Sequence, residues 1–394
     1  MTEKSAKPQL RFAGFDDTWE QRKVSELFRV TRGYVLAATQ TETAKTDQKP
    51  YPVYSSQTKD KGLMGYYKDY LYEDAITWTT DGANAGTVNY RAGKFYCTNV
   101  CGVLLSNEVK ANQMIAEALN NVAKGYVSYV GNPKLMNNVM ADIVIQIPTQ
   151  AEEREQLSSF FTNLDNLITL HQRKYDKLTN VKKSMLEKMF PKNGSNVPEI
   201  RFKGFSDAWE QRKVSDLAEK TYGGGTPTTS NEAYWNGDIP WIQSSDVADG
   251  KLLGVESRKR ITQDGLNNSA AQLIPENSIA IITRVGVGKL AFMPYSYATS
   301  QDFLSLSKLN AEPFFTVYAC YKKLQSELNA VQGTSIKGIT KDELLAKSIM
   351  VPQYAEQRQI GAFFKQLDNL ITLHQRELEK LKNLKKACLE KMFV

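Results

Sequence analysis

Five loops of this 394-residue chain are rich in side chains that can hydrogen-bond to nucleic-acid bases. They combine Ser, Thr, Asn, Gln, Arg and Lys, the residue types that contact base edges in the grooves of DNA. The loops read SSQTKDKG at 55–62, TTDGANAG at 79–86, GGGTPTTSN at 223–231, QSSD at 243–246 and TRVGVGK at 283–289. Aromatic residues lie among them, namely Tyr54, Trp78, Trp235 and Trp241. Taken singly, each loop fits an ordinary surface loop better than a binding site.

The residue patterns of known catalytic and cofactor sites are missing from the sequence. GVGK at 286–289 is followed by Leu290 and lacks the first glycine of a nucleotide-binding P-loop. GGG at 223–225 lacks the strand–G-x-G-x-x-G–helix setting of a dinucleotide-binding fold. Neither H-E-x-x-H nor G-x-S-x-G occurs, and no pair of carboxylates stands out. Only Cys97 and Cys101 are neighbouring cysteines, and no second pair completes a zinc site, so we expect reduced, structural thiols. The chain therefore reads as a binding protein and not as an enzyme.

Composition is compatible with such a role. The formal net charge is +7, which has the sign expected of a nucleic-acid binder. The bias is concentrated at 171–190, with six Lys/Arg against two acids, and at 374–393, with six against three. No run of eighteen apolar residues occurs, and MTEKSAKPQL has no apolar signal region. We therefore expect a cytoplasmic protein.

The chain contains the same two segments twice, and repeats of this kind set the architecture. Residues 8–27 and 198–217, the heads, are identical at fourteen of twenty positions. Residues 160–190 and 363–393, the tails, are identical at twenty-two of thirty-one positions. The intervening middles share no alignable run of useful length. Two heads and two tails therefore do the same job twice, while the middles differ in function or in target.

Both tails are predicted to be long helices that pair with each other. Apolar positions recur in steps of four and three, which is the seam of a coiled coil. The seam slips near Val181 and Lys182 and resumes at Met185 and Met189. Its predicted members, which include the only two histidines as packing residues, are Leu157, Phe161, Leu164, Ile168, His171, Leu178, Ile360, Phe364, Leu367, Ile371, His374 and Leu381.

Thirty-seven helical residues would extend about 55 Å at about 1.5 Å per residue. One interpretation is a helical hairpin of unknown use. The other is an antiparallel spacer with a pseudo-twofold axis, which would hold the two middles about one to one and a half turns of DNA apart, at about 34 Å per turn.

The heads are predicted to pack on the tails. Head one has no tail before it, so a pseudo-twofold would dock it near the end of tail two. Its apolar residues are expected to be core or docking residues, and Arg22 and Lys23 are expected to be exposed. The apolar residues are Phe12, Phe15, Trp19, Val24 and Leu27.

Both middles read as mixed α+β domains with long polar loops. Helices are expected near 114–123 and 313–328, and the predicted strands are 75–79, 86–90, 102–105, 143–147, 241–243, 278–282, 290–292 and 349–351. The predicted segments are a head at 1–27, a first middle at 28–147, a central helix at 148–192, a second head at 193–217, a second middle at 218–351 and a C-terminal helix at 352–394.

This combination resembles the specificity subunit of type I restriction–modification systems. The resemblance rests on the doubled RFxGFxxxWEQRKxSxL head, the doubled FFxxLDNLITLHQR tail and two unlike middles. In the second middle, TPTTSNEAYWNGDIPW and AIITRVGVGKLAF are similar to the target-recognition domains of that family. The first middle lacks the TPT…YW…IPW string, so its assignment rests on position and on YPVYSSQ and TTDGANAG.

The resemblance implies that each middle is a target-recognition domain that reads one half of an asymmetric, bipartite DNA site. The helices would set the spacer and dock two methyltransferase subunits, and restriction/translocase subunits would complete the assembly. The chain itself would be non-catalytic, with S-adenosylmethionine, ATP and Mg²⁺ bound by its partners. A stand-alone coiled-coil DNA-binding scaffold or repressor is the alternative.

Within that interpretation, Lys and Arg would grip phosphate and the polar loop residues would read bases. The expected DNA-binding residues of the first middle are Ser55, Ser56, Gln57, Lys59, Thr80 and Asn84. Those of the second middle are Thr228, Thr229, Gln243, Ser244, Ser245, Arg284 and Lys289.

Overall fold

The computed structural model describes residues 7–56, 59–192, 194–330 and 338–393. The chain divides into two compact units. Unit 1 comprises Met1–His171 with Glu377–Val394, and unit 2 comprises Gln172–Arg376. Each unit thus contains one head, one middle and a part of both long helices. Gln57 lies outside the described residues.

Unit 1 is built on a six-stranded sheet that is flanked by helices. Its strands are β1 (Glu20–Lys23), β2 (Phe28–Arg32), β3 (Tyr51–Tyr54), β4 (Leu63–Tyr67), β5 (Tyr72–Thr79), β6 (Val88–Cys97), β7 (Cys101–Ser106) and β8 (Val144–Ile147). Its helices are α1 (Val24–Leu27), α2 (Gln113–Ala123), α3 (Asn137–Asp142) and the first half of α4 (Ala151–Lys188). Short 3₁₀ turns lie at Ala38–Gln40, Lys59–Gly62 and Lys124–Tyr126.

The strand order of the large sheet in unit 1 is β2-β7-β5-β6-β3-β4. All neighbouring pairs are antiparallel except β3 and β6, which are parallel. The core depends on a close approach between Trp78 on β5 and Gly102 on β7, because a Cβ at Gly102 would lie 2.1 Å from the indole. A separate two-stranded sheet joins β1 of the head to β8 at the end of the middle.

The described residues of unit 2 form nine strands. They are β9 (Glu210–Lys213), β10 (Ala218–Gly223), β11 (Trp235–Ile242), β12 (Lys259–Ile261), β13 (Ser278–Ile282), β14 (Leu290–Met293), β15 (Ala298–Thr299), β16 (Phe303–Leu309) and β17 (Ser348–Val351). Its helices are α5 (Gln263–Asn267), α6 (Pro313–Ala330), α7 (Lys341–Ala346) and most of α8 (Tyr354–Met392). Its 3₁₀ turns lie at Val214–Leu217, Glu232–Tyr234 and Ser244–Asp246.

The two middles share one strand topology although their sequences, compared with each other, share no alignable run of useful length. In unit 2, β10-β16-β13-β14 form one sheet and β12-β11-β15 another. Each pairing has a counterpart of the same sense in unit 1, including the parallel pair β11 and β15, which matches β3 and β6. The single strand β6 corresponds to β14 and β15 together. Antiparallel pairing of β9 with β17 likewise repeats that of β1 with β8.

Within unit 1, the beginning of α4 packs against the end of α8. The rings of Phe161 and Phe393 lie 5.5 Å apart, and Lys385 Nζ lies 2.6 Å from Asp165 Oδ1. As the residue number rises along α4, that of its partner falls, so the two helices are antiparallel. The predicted pairing is confirmed here.

Unit 2 repeats these contacts with the roles of the two helices exchanged. The rings of Phe190 and Phe364 lie 6.0 Å apart, and Lys182 Nζ lies 2.5 Å from Asp368 Oδ1. These four residues are the repeat equivalents of those in unit 1. One sequence motif therefore forms the same helix contact twice.

The heads pack on the helix ends within their own units. In unit 1, the backbone N–H of Leu10 donates to Lys391 O at 2.8 Å, and the Trp19 ring lies 6.0 Å from Phe393. Docking of head one at the end of tail two is therefore confirmed. The guanidinium of Arg11 also binds Glu153, whose side chain is 1 % exposed. In unit 2, Arg201 binds Glu356 and Trp209 packs on Phe190 in the same way.

Burial separates the predicted packing residues into two groups. Buried positions are Trp19, Val24, Leu27, Leu157, Phe161, Leu164, Ile360, Phe364 and Leu367. Half-buried positions are Phe12, Phe15, Ile168, His171, Leu178, Ile371, His374 and Leu381. Arg22 is not exposed as predicted, because it is half-buried and its guanidinium binds Glu26 and Glu108, whereas Lys23 is exposed. Leu378, which continues the predicted seam of the second tail, is buried, and so is Leu186.

Candidate nucleic-acid interface

In unit 1, three segments meet around the turn between β6 and β7, residues 98–100. Thr98 N donates to Tyr54 O at 2.9 Å, and its Oγ1 donates to Ser55 Oγ at 3.0 Å. From the other side, Thr80 N donates to Val100 O at 3.0 Å. The structure therefore brings the predicted loops 55–62 and 79–86 together at one edge of the sheet.

The side chains in these two loops differ in what they offer to a ligand. Asn84 is half-buried, and its Nδ2 donates to Ser56 O at 3.0 Å, which links the two loops. Thr80 is buried, and its hydroxyl donates to Asp81 Oδ2 at 2.7 Å. Thr80 therefore supports the loop and does not present a free hydroxyl. Ser55 and Ser56 are half-buried.

A third loop of unit 1, residues 126–135, was not among the sequence candidates. It is anchored to the loop at 79–86, because Leu135 N donates to Thr80 O at 2.8 Å and Gly82 N donates to Pro133 O at 2.9 Å. Tyr129 and Val130 at its tip are largely exposed. In the sequence, the Gly-Asn-Pro turn at 131–133, directly after Tyr129 and Val130, could have indicated this loop.

In unit 2, the three candidate loops also meet at one turn, residues 299–302. Gly225 N donates to Thr299 O at 2.9 Å, which fixes the loop at 223–231. Ser300 N donates to Ile242 O at 2.9 Å, and Thr283 N donates to Asp302 O at 2.8 Å. Loops 243–246 and 283–289 are thereby held beside the first. This turn precedes β16 as residues 98–100 precede β7, so the two units present equivalent loop clusters.

Two of the three glycines at 223–225 are explained by close backbone contact. A Cβ at Gly224 would lie 1.9 Å from Ser300 O, and one at Gly225 would lie 2.3 Å from the carbonyl carbon of Ala270. Only glycine permits this approach of two chain segments. Gly224 and Gly225 therefore seat the loop against its neighbouring segments.

The tryptophans of unit 2 support the same loop. Trp241 Nε1 donates to Gly225 O at 3.0 Å, and Trp235 Nε1 donates to Thr228 O at 3.2 Å. Their rings are nearly perpendicular, with centroids 5.2 Å apart. These aromatics hold the loop backbone in place, which leaves the Thr228 side chain exposed.

Exposure ranks the predicted contact residues of unit 2. Thr228, Thr229, Ser245 and Arg284 are exposed, and Gln243, Ser244 and Lys289 are half-buried. Arg284 makes no ion pair within the part of the chain that the structure describes, which leaves its guanidinium available to an anion. In unit 1, Lys59 falls in the 3₁₀ turn at Lys59–Gly62.

The described residues offer no arrangement for thiol or metal chemistry. All four cysteines are free and buried. Burial raises the pKa of Cys101 to about 11 and that of Cys320 to about 12, so these thiols remain protonated at neutral pH. Among residues with described positions, no group of three or more His, Cys, Asp or Glu could hold a metal ion. No helix in the described ranges is long and apolar enough to cross a membrane.

Comparison with known proteins gives a consistent result. The family model "Type I restriction modification DNA specificity domain" matches residues 16–180 and 206–383. A putative type I specificity subunit of Mycoplasma pneumoniae is 26% identical over 343 residues, which are 86% of each chain. The EcoR124I/EcoR124II specificity subunit of Escherichia coli is 31% identical over 38% of this chain and 39% of its own.

A solved structure supports the fold. The type I restriction–modification S subunit from Mycoplasma genitalium superposes with a TM-score of 0.73 over 98% of this chain and 99% of its own, at 13% identity. At that identity the likeness shows the fold alone. The predicted class, α+β with two mixed domains and an antiparallel pair of long helices, is confirmed. With both repeats matched by the family model, the chain belongs to the specificity subunits of type I restriction–modification systems and carries two target-recognition domains.

Proposed function

We propose that the two target-recognition domains read the two halves of one asymmetric, bipartite DNA site. The observation that carries this proposal is the pair of equivalent loop clusters, which have one strand topology and different side chains. Loops on a common scaffold are aimed in the same way, so different side chains on them select different bases. Because the two clusters differ, the two half-sites differ.

Phosphate and base contacts have separate roles in this proposal. Exposed cations such as Arg284 neutralise phosphates and fix the register of the protein on the duplex. Polar groups such as those of Thr228, Thr229 and Ser245 are exposed on loops of the same cluster and contact base edges. Half-buried residues such as Asn84 and Gln243 position these loops.

The long helices set the spacer between the half-sites. Helix α4 has 38 residues and helix α8 has 39, and residues of each helix belong to both units. A rise of about 1.5 Å per residue makes each helix about 57 Å long. A matched insertion in both helices is therefore expected to change the unread gap and to leave both half-sites unchanged.

Two methyltransferase subunits dock on the surface that the repeats share. The stretch LDNLITLHQR is identical in both tails, and it exposes two leucines in each unit. Leu167 and Leu170 are each 45% exposed, and Leu370 and Leu373 are 43% and 50% exposed. Exposed apolar groups on an otherwise charged helix mark an interaction surface. Two identical surfaces accommodate two copies of one partner.

Restriction/translocase subunits complete the assembly, and the catalytic cofactors belong to the partners. The partner subunits bind S-adenosylmethionine, ATP and Mg²⁺. This chain contributes DNA recognition and no catalysis of its own. No nucleotide-binding or metal-binding motif occurs in its sequence.

The test is a domain exchange followed by methylome sequencing of the host. Residues 28–147 are replaced by the corresponding segment of another specificity subunit, and the modified sites are mapped. One half of the recognised site should change, while the other half and the gap stay the same. A change in both halves, or an unchanged site, would contradict the proposal. Purified chain that transfers a methyl group without partners would also contradict it.

A further inference from the structure

Unit 1 contains a buried cation without an acidic partner. Arg91 on β6 is 6% exposed, and it makes no ion pair within the described ranges. Its Nε donates to Thr77 Oγ1 at 3.0 Å, and its Nη2 donates to Lys61 O at 2.7 Å. The guanidinium lies 3.7 Å from the centroid of the Tyr54 ring. All three partners are neutral.

Such a charge is costly to bury. A guanidinium stays protonated in proteins, and an unpaired buried charge costs several kcal/mol. Consistent with this cost, burial lowers the pKa of Arg91. Two hydrogen bonds also use only two of the five N–H donors of the group. The guanidinium therefore retains donors, and a charge without an acidic partner among the described residues, for an anionic ligand.

A cavity of about 190 Å³ lies against Arg91. Given about 30 Å³ per water molecule in the liquid, its volume corresponds to about six waters. Buried residues form its floor, and half-buried or exposed residues form its rim. None of the described lining residues carries a carboxylate, whereas hydroxyl and amide groups are abundant. The lining comprises Ser55, Lys61, Thr77, Trp78, Thr79, Asn84, Thr87, Asn89, Arg91 and Cys101.

The position of the cavity indicates its ligand. Ser55 and Asn84 on its rim belong to the two loops that meet at the candidate interface of unit 1. A base edge offers only neutral acceptors, which do not balance a buried charge. A phosphoryl group carries the missing negative charge, and its oxygens accept several hydrogen bonds from a guanidinium.

We propose that this cavity binds one phosphoryl group through Arg91, and that in the assembled complex this group is a backbone phosphate of the first half-site. The second part of the proposal rests on the proposed DNA recognition by unit 1. Arg91 is thus a phosphate-contacting residue that fixes the register of the first target-recognition domain. It does not select bases.

The principal experiment measures DNA binding by the full chain in complex with its methyltransferase subunits. Affinity for a duplex with the recognised site is determined at several salt concentrations for the wild type, Arg91→Met and the exposed-lysine control Lys68→Met. Loss of one phosphate contact should lower the slope of log K against log salt by about 0.9. Affinity should fall about tenfold or more, by the same factor for cognate and non-cognate duplexes.

A second arm uses inorganic phosphate without DNA. Phosphate should raise the Tm of the wild type and should not raise that of Arg91→Met. In the absence of ligand, Arg91→Met should be at least as stable as the wild type, because it removes an unpaired buried charge. A purely structural arginine would instead lower the Tm on substitution. If Arg91→Met does not fold, Thr87→Val on the rim replaces it and should weaken phosphate binding.

The outcomes separate this proposal from the proposed function. An unchanged affinity and salt slope in Arg91→Met would overturn the DNA contact, and relaxed preference at one base with an unchanged slope would do the same. Phosphate stabilisation that depends on Arg91, without any effect on DNA binding, would identify a free anion as the ligand and overturn the backbone assignment. Wild-type complex that binds all duplexes equally would refute the proposed function, while the phosphate arm would still test Arg91.

Discussion

Lys385→Met should destabilise unit 1 by removing a cation that contacts two neighbouring carboxylates together. Lys385 Nζ lies 2.6 Å from Glu117 Oε1 and 2.6 Å from Asp165 Oδ1. Asp165 keeps Lys61 at 3.0 Å after the substitution. Glu117, which is 5% exposed, keeps the neutral amide of Gln113 at 2.8 Å and no cation from the described part of the chain. The consequence is a buried carboxylate without a counter-charge.

The magnitude follows from that isolated carboxylate. Removing one partner of a buried ion pair costs about 3–5 kcal/mol, and the residual exposure of Lys385 favours the lower end, about 3 kcal/mol. Unit 2 supplies a matched comparison, because Lys182 pairs with Asp368 at 2.5 Å and Asp368 also accepts from the Tyr318 hydroxyl at 2.6 Å. Lys182→Met should therefore cost less, about 2 kcal/mol.

The assay is urea unfolding of the purified full chain, followed by tryptophan fluorescence. Midpoints are compared for the wild type, Lys385→Met and Lys182→Met, and for the double variant Lys385→Met/Glu117→Gln. The double variant replaces the isolated carboxylate by a neutral amide of similar shape, so it should recover at least about 1 kcal/mol. A double variant no more stable than Lys385→Met would refute the reasoning, because the cost would then not arise from Glu117.

The same cluster predicts a pH dependence. Although burial alone would raise it, the pKa of Asp165 is lowered because Lys385 and Lys61 donate to the carboxylate. The stabilisation is therefore present above the unfolded pKa of about 3.9 and is lost as the pH falls through the lower folded value. For Lys385, whose pKa is raised by the two carboxylates against the effect of burial, the stabilisation is lost as the pH rises through its folded value. The stability difference between the wild type and Lys385→Met should shrink at both extremes.

Three further predictions concern binding and local stability. Arg284→Met should lower the slope of log K against log salt by about 1 and weaken cognate and non-cognate duplexes alike, and an effect on base preference instead would contradict a phosphate contact. The double variant Leu167→Glu/Leu170→Glu should keep the Tm within a few degrees of the wild type, because both leucines are exposed. Co-purification should recover half as much methyltransferase per chain, because one of two docking surfaces is lost, and full recovery would argue against this surface. Thr340→Ala should cost about 1 kcal/mol in urea unfolding, because the Thr340 hydroxyl caps helix α7 by accepting from Glu343 N at 3.2 Å, and Thr340→Ser should restore most of it.

The repeated segments could be predicted from the sequence because repetition itself carries the information. The two tails have nearly the same apolar stripe, so each tail is predicted to pack against the other. The repeat also predicts that head one docks near the end of tail two, and the contact of Trp19 with Phe393 agrees with that docking. The ion pair of Lys385 with Asp165 could not be predicted, although both residues recur in the repeat. Its formation depends on which helix turns face each other, and a stripe of apolar residues does not specify that register to within one turn.

The common topology of the middles was hidden for a different reason. Strand pairing depends on burial and on alternating polarity, which many sequences satisfy, so the two middles keep one fold after their sequences have diverged. Individual strands such as β13, predicted at 278–282, could be located from short apolar runs. The order of the strands and the parallel contact between β3 and β6 depend on long-range packing, which no short motif records.

The candidate contact residues show where local reasoning reaches its limit. Composition identified the candidate loops, but it did not predict that those of one unit lie together. The structure shows this, because the loops follow strands that end at the same sheet edge. Composition did not separate residues that face outward from those that hold the loop, so Thr80 was grouped with exposed positions such as Thr228. It also passed over Arg91, which lies within a strand and becomes notable only when its neighbours are known to be neutral.

The division of labour within each unit explains how recognition could change without loss of the fold. The core contacts, such as Trp78 against Gly102, lie on the strands, whereas the loop clusters are attached through backbone hydrogen bonds to the turns at 98–100 and 299–302. Backbone hydrogen bonds do not depend on the identity of the side chain. Exposed positions such as Thr228 and Ser245 can therefore be substituted at little cost to stability, since surface substitutions usually change it by less than about 0.5 kcal/mol. Positions such as Gly224, where a Cβ would contact backbone, cannot. New specificities should consequently arise by substitution at the exposed loop positions, on an unchanged pattern of loop-seating glycines and tryptophans.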